Sequence, residues 1–304
     1  MLAGPVRGAT GARQPVTRSI LSTFVTRKHL QKEVLDLEPG SFAKYFWRDL
    51  WAYRELFFVL AWRDVSVRYK QTVIGILWAF LRPLLTMVVF TVVFGKLAGL
   101  PSEAGAPYAL LVFAGLLPWS LFSTSLADAS NSLIGNSNLI SKVYFPRLIV
   151  PAAAIVTSLV DFVVSLVVLL GLMVWYQYVP GWQLLFLPVF TIMTALAAFG
   201  AGSYLSAMTT KYRDFRYIVP FALQLALYVS PVGFSANIVP AGWRPIFDLN
   251  PLVGIIDGFR WCILGAQSEF NWHSISMSAG VIVVMLWFGI RQFRKNESTF
   301  ADVI

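Results

Sequence analysis

Arg82 and Asp161 are ionisable residues set inside long apolar runs, each ten residues beyond the start of its run, at Thr72 and Pro151. At about 1.5 Å per residue of helix, both charges sit roughly 15 Å into a bilayer. A charge at that depth costs at least about 2.5 kcal/mol, so it pairs, snorkels or lines a wet cavity. The matching depths predict an ion pair between Arg82 and Asp161. A guanidinium that meets an anionic phosphate is the other chemistry this position allows. Asp128 falls at the end of its apolar run, within reach of water, and no role is expected of it. Two deep carboxylates make no proton relay, and no His/Asp/Ser cluster marks a membrane enzyme. The single Cys262 cannot close an intrachain disulfide, and His29 and His273 are too few and too distant in sequence for a metal site, so no metal is expected.

The elements that must carry these charges follow from composition. The chain has 304 residues, 57% hydrophobic and 13% charged, with a mean hydropathy of +0.68. Soluble domains carry about 25% charged residues, so a soluble globular protein is excluded and a polytopic membrane protein is expected. Runs of about 20 apolar residues extend from Thr72 to Leu97, Pro107 to Ala129, Pro151 to Tyr176 and Trp182 to Met208. A fifth starts near Tyr217 and is broken at Ser230-Pro231 and Gly233; a sixth runs from about Trp272 to Ile290. The expected fold is all-α with six transmembrane helices, preceded by an amphipathic interfacial helix.

Orientation follows from the basic residues. Twelve Lys and Arg precede Thr72, and eight more follow in segments on the same side: Lys142, Arg147, Lys211, Arg213, Arg216, Arg291, Arg294 and Lys295. The opposite side holds Lys96, Arg244 and Arg260. Both termini are therefore expected in the cytoplasm. The net charge of +9 is thereby accounted for by topology and headgroup contacts rather than by nucleic acid. Residues 1–40 read as a polar tail without a secretory h-region, an organellar transit peptide being the alternative. Residues 41–71 form the interfacial region, 72–290 the transmembrane domain and 291–304 a cytoplasmic tail.

From Ser41 to Phe58 the sequence is SFAKYFWRDLWAYRELFF. Phe42, Phe46, Leu50, Tyr53 and Phe57 recur along one helical face, with Lys44, Arg48 and Glu55 on another. Such a helix lies in the membrane plane, with Trp47 and Trp51 at headgroup depth. Beyond it come Arg63-Asp64, Arg68-Tyr69-Lys70, Gly75, Leu77-Trp78 and Pro83. Further on stand Phe145-Pro146, Tyr212-Arg213-Asp214, Ser230-Pro231 and Asn250-Pro251. This ordered set, from Ser41 to Arg294, resembles the permease subunits of bacterial ABC exporters that move polysaccharides, the O-antigen, capsule and teichoic-acid group.

The resemblance implies a homodimer in the bacterial inner membrane, paired with two copies of a separate ATP-binding subunit. It further implies a lipid-linked polysaccharide as cargo, O-antigen in the first instance. Between the second and third spans, Asn131 to Val150 contains a short segment, Leu139 to Phe145, stopped by Pro146. In the resembled family this loop supplies a coupling helix. The contacts expected for the ATPase subunit are Lys44, Arg48, Arg63, Asp64, Lys142, Tyr144, Phe145 and Arg147. The Gly95-Lys96 pair lacks the rest of a phosphate-cradling loop, so ATP and Mg are expected on the partner and no catalytic residue in this chain. Alternatives are an ABC exporter permease for a small molecule or drug, and a membrane glycosyl- or acyltransferase.

The segment after the fifth span is no ordinary loop. Asn250 and Pro251 suit the N-cap and first helical positions, and Gly265 ends a 14-residue stretch of about 21 Å, too short to cross. Leu252, Ile255, Ile256, Phe259 and Ile263 make an apolar stripe with Asp257 and Arg260 outside it. The expectation is a re-entrant or interfacial helix at the outer mouth. Pro231, Pro251, Asp257 and Arg260 are the outer-gate residues that the resemblance implies. Many of the 24 Phe, 11 Trp and 11 Tyr belong to interfacial belts, such as Trp175 and Trp182. Trp78, Phe80, Arg82, Tyr108, Trp119, Tyr228 and Phe234 are the residues expected to face a substrate pathway. Ala198, Gly202 and Ser206 repeat every fourth position, which permits close helix approach within the chain.

Overall fold

The computed structural model describes residues 48–70, 73–102, 105–240, 242–265, 270–297 and 300; Lys44 and the first forty residues lie outside them. After a helical stretch at 48–52 and a turn at Tyr53, α1 runs Arg54–Lys70. Next come α2 (Val73–Phe90), continued as a π-helix Thr91–Leu97, and α3 (Tyr108–Gly135). The short α4 (Ser137–Lys142) leads to α5 (Ile149–Trp175). A 3₁₀ turn Trp182–Phe186 opens α6 (Leu187–Lys211), and α7 is Phe215–Val229. The chain closes with α8 (Arg244–Phe247), α9 (Pro251–Leu264) and α10 (Trp272–Asn296). The described residues contain no strand.

Among the described residues five helical segments are long and apolar enough to cross a membrane. The six spans expected from sequence are not all matched, because α7 has 15 residues and reaches only about 22 Å against roughly 30 Å of hydrocarbon. It stops where expected, at Ser230-Pro231. The helix expected over Ser41–Phe58 lies partly outside the described residues; what is described passes a turn at Tyr53 and runs on as α1 to Lys70, without a single apolar face.

With apolar residues on every side, these helices are placed by small residues rather than by an amphipathic stripe. Buried α3 is the hub, packed against α5, α6, α9 and α2. α6 meets α3 where a methyl on Gly202 would lie 2.7 Å from the Ala129 Cβ. It meets α10 where a methyl on Gly289 would lie 2.0 Å from the Gly200 carbonyl oxygen. Ala198, Gly202 and Ser206 are all buried within this chain.

Two apolar clusters follow. The larger joins α3, α5, α6 and α9 around Phe113, Phe162, Phe190 and Phe259. The smaller lies at the end of the bundle that carries α4. There Leu60 of α1, Leu133 of α3, Ile140 of α4 and Phe145 surround Phe293 and Phe300 from the C-terminal region.

Candidate functional site

Arg68 and Tyr69, near the end of α1, reach the polar face of α5. Ser158, Asp161, Phe162 and Ser165 recur there at helical spacing of three and four. Arg68 donates from Nη1 to Asp161 Oδ2 at 2.7 Å and from Nη2 to Asp128 Oδ2 at 2.8 Å, so one guanidinium ties α1 to α5 and α3. The Tyr69 hydroxyl donates to the other oxygen of Asp161, and Ser158 Oγ donates to Asp128 Oδ2 at 3.3 Å. Two carboxylates thus share one cation, each pair held by a charge-assisted hydrogen bond. One turn earlier on α1, Arg63 donates to Asp64 at 2.6 Å and to Asn136 Oδ1, at the end of α3, also at 2.6 Å.

This arrangement corrects the expected Arg82–Asp161 ion pair. Equal depth says nothing about which way a helix face points, and Asp161 is taken by Arg68 and Tyr69. Asp128, of which nothing was expected, is the second arm of the cluster. The signal lay in Arg68-Tyr69, which the sequence places in the 41–71 interfacial region ahead of the first span, with nothing to show its reach into the bundle.

Arg68 stands between two cavities. One, of about 450 Å³, is lined from α2 by Trp78, Arg82 and Thr86, from α3 by Trp119, Ser120 and Thr124, and from α5 by Asp161, Phe162 and Ser165. The other, of about 570 Å³, is lined by Arg63, Asp64, Asp128, Asn131, Asn136 and Thr157. Of the seven expected pathway residues, Trp78, Arg82 and Trp119 meet in the first. The others do not line it. Phe80 packs against the large cluster, and the Tyr108 hydroxyl donates to the Gly233 carbonyl at 2.5 Å. Tyr228 is exposed on α7, and Phe234 stacks on Phe247 with ring centroids 6.4 Å apart.

At the α4 end, Arg48, Lys142 and Tyr144 are exposed. Although the Tyr144 ring is about half exposed, partial desolvation of its hydroxyl, and after it the charges of Glu297 and Asp49, hold its pKa above the ordinary value. Phe145 does not join them as expected: it is 2% exposed and anchors the loop in the smaller cluster. Arg147 also turns inward. Its backbone N–H donates to Glu297 Oε1 at 2.9 Å, its guanidinium donates to the Glu297 carbonyl and lies 6.0 Å from the Phe300 ring centre. Burial raises the Glu297 carboxyl pKa, against the opposing pull of the Arg147 N–H and the Arg147 and Arg294 charges. A single apolar letter such as Phe145 gives no hint of whether it faces a partner or its own chain.

At the opposite end, α9 is buried on nearly every side rather than amphipathic at an interface. Arg260, expected outside its apolar stripe, is 0% exposed. Its guanidinium donates to the carbonyls of Pro231 at 2.7 Å, Val232 at 3.3 Å and Phe234 at 3.0 Å. These carbonyls have left the helical ladder where α7 ends, and in apolar surroundings they require a donor. Pro231 is buried beneath this clamp, Asp257 is half-buried, and Pro251 opens α9 behind Asn250, whose Oδ1 accepts from Leu252 N at 3.0 Å. Asn250 also donates to Ser230 Oγ at 3.0 Å. Among the described residues no group of His, Cys, Asp and Glu is placed to hold a metal ion.

Residues 55–264 match the profile of the family described as ABC-2 type transporter. An O-antigen export system permease protein RfbA from Myxococcus xanthus is 29% identical over 84% of this chain and 98% of its own length. One of the same name from Klebsiella pneumoniae is 26% identical over 82% of this chain and 95% of its own. The inner membrane transport permease YadH of Escherichia coli K12 is 26% identical over 67% of this chain and 81% of its own.

Proposed function

Since this chain belongs to the ABC-2 type transporter membrane family, and is thus a multi-pass permease working with an ATP-binding partner, we propose that it exports a lipid-linked polysaccharide, O-antigen in the first instance. The observation that carries this reading is alignment with O-antigen export permeases over 82–84% of this chain and 95–98% of theirs. In this reading two copies span the bacterial inner membrane with their termini in the cytoplasm, and two ATPase subunits hold ATP and Mg.

The α4 loop then meets the partner. Its exposed Lys142 and Tyr144 are the contacts, with Arg48 nearby, while Phe145 and Arg147 fix the loop to its own bundle. Force applied to α1 passes through Arg68 into α3 and α5, because the guanidinium grips both. The 450 Å³ cavity, with Trp78 and Trp119, lies on the pathway. Indole faces hold sugars without demanding one hydrogen-bond pattern, so a chain can advance along them. The α9 segment, clamped by Arg260 to the break after α7, gates the outer mouth.

Affinity purification of the tagged chain from its native membranes tests this. The expected result is copurification of an ATP-binding subunit whose ATP turnover rises with lipid-linked glycan. Turnover that responds to hydrophobic small molecules and not to glycan would move the reading to a drug exporter. Recovery of the chain alone under mild detergent would refute the partnership.

A further inference from the structure

We infer that the cavity between α2, α3 and α5 binds a hydroxyl-rich sugar bearing an anionic group, the anion on Arg82 and the sugar hydroxyls on the α3 and α5 wall; this rests on the export function proposed above. The wall is defined by where its protons go. Ser120 Oγ donates to the Leu116 carbonyl at 2.5 Å, Thr124 Oγ1 to the Ser120 carbonyl at 2.6 Å and Ser165 Oγ to the Asp161 carbonyl at 3.0 Å. A hydroxyl has one proton to give, so these three present lone pairs to the cavity. These hydroxyls accept from sugar hydroxyls and have no proton left for a phosphate oxygen.

The cations divide as clearly. Arg68 is committed to Asp128 and Asp161. Arg82 also lines the cavity and makes no ion pair among the described residues, so its guanidinium is the group that can take an anion in a two-pronged grip. Trp78, on the same helix, supplies an exposed aromatic face beside it. The volume of about 450 Å³ falls in the range of small-ligand sites. Acceptors on one side and a cation with an indole on the other orient a sugar phosphate: its charge faces α2 and its hydroxyls face α3 and α5. A neutral sugar lacks the first contact and inorganic phosphate the second.

The full-length permease in phosphatidylcholine nanodiscs, titrated with glucose 1-phosphate, glucose and inorganic phosphate by proton and phosphorus NMR, tests the assignment. Glucose 1-phosphate is expected to bind at least about tenfold more tightly than either fragment. Arg82→Gln should bring it to the level of glucose, and Arg82→Lys should keep part of the preference. Ser120→Ala should weaken both sugars and leave inorganic phosphate unchanged, which a general loss of fold would not do. Equal binding of glucose 1-phosphate and inorganic phosphate, or an unchanged preference in Arg82→Gln, overturns the proposal. Replacing part of the lipid by phosphatidylglycerol separates the anion's sources: if this abolishes glucose 1-phosphate binding in the native chain, Arg82 serves a lipid headgroup and the sugar site is refuted. If no probe binds while ATP turnover of the complex still answers to glycan, the site fails and the exporter stands. If glucose 1-phosphate binds but turnover ignores glycan, the exporter fails and the site stands.

Discussion

Replacing Arg68 with Gln removes the guanidinium that Asp128 and Asp161 share, leaving two carboxylates opposed across α3 and α5. Exposed ion pairs are worth about 0.2–1 kcal/mol, whereas removing one partner of a fully buried pair costs about 3–5 kcal/mol. The three side chains keep 36%, 32% and 29% of their exposure, which places the cost between these limits, at about 2 kcal/mol. Asp128→Asn is different. It leaves Arg68 matched one-to-one with Asp161, and its cost should stay below about 1 kcal/mol. In the Arg68→Gln background, Asp128→Asn should therefore recover stability by relieving repulsion, although it costs stability alone. At about 2–4 °C per kcal/mol, Arg68→Gln lowers the apparent Tm of the detergent-purified protein by about 4–8 °C, and Asp128→Asn by less than about 4 °C. The double variant should lie between the two. A double variant less stable than Arg68→Gln, or an Asp128→Asn loss as large as that of Arg68→Gln, would refute the shared-cation reasoning.

Gly289→Ala places a methyl 2.0 Å from the Gly200 carbonyl, with backbone on both sides, so α6 and α10 must part; a loss of about 1–3 kcal/mol is expected, read as a Tm shift. Tyr108→Phe removes the donor to the Gly233 carbonyl and should cost about 1–2 kcal/mol, with faster hydrogen exchange confined to the segment around Gly233. Glu297 has a carboxyl pKa raised by burial, so its folded state favours the proton. The corresponding stability is fully present below the unfolded pKa of about 4.3 and is lost as pH rises through the raised folded value. Glu297→Gln keeps an acceptor for the Arg147 N–H without the charge. It should flatten the pH dependence of Tm above the unfolded pKa of about 4.3 relative to the native chain; parallel curves would show that the carboxyl does not titrate as described.

The spans were legible because an apolar run of about 20 residues has few alternatives: three fall within three residues of the expected limits, and the second and sixth run on past Ala129 and Ile290. The break at Ser230-Pro231 and the start of α9 at Asn250-Pro251 were legible for the same kind of reason, since proline and an Asn cap act locally. Pairings were not legible. The Arg82–Asp161 expectation used depth along the membrane normal, but the rotation of each helix decides which residues meet, and that rotation is set by contacts such as Gly202 on Ala129. Arg260 was read as a surface charge because the carbonyls that hold it are made available only by the break in α7, roughly thirty residues away in sequence. Lys142 and Tyr144 are surface residues while their neighbour Phe145 is core, a distinction that depends on Phe293 and Phe300 at the far end of the chain.

The Arg260 clamp also constrains how the protein is made. An arginine at a helix centre resists release into lipid by about 2.5–3.5 kcal/mol, so α9 cannot leave the insertion machinery as an independent segment. Its compensating carbonyls come from residues 231–234, synthesised shortly before it; of its packing walls, α3 and α6 are already present by then and α10 follows. Insertion of α7 and α9 is therefore coupled: it requires α3 and α6 already in place and is completed when α10 packs on α9. A side chain added in α3 at Gly115, against Val232 and the Arg260 guanidinium, would surface as failed membrane integration of a segment more than a hundred residues downstream.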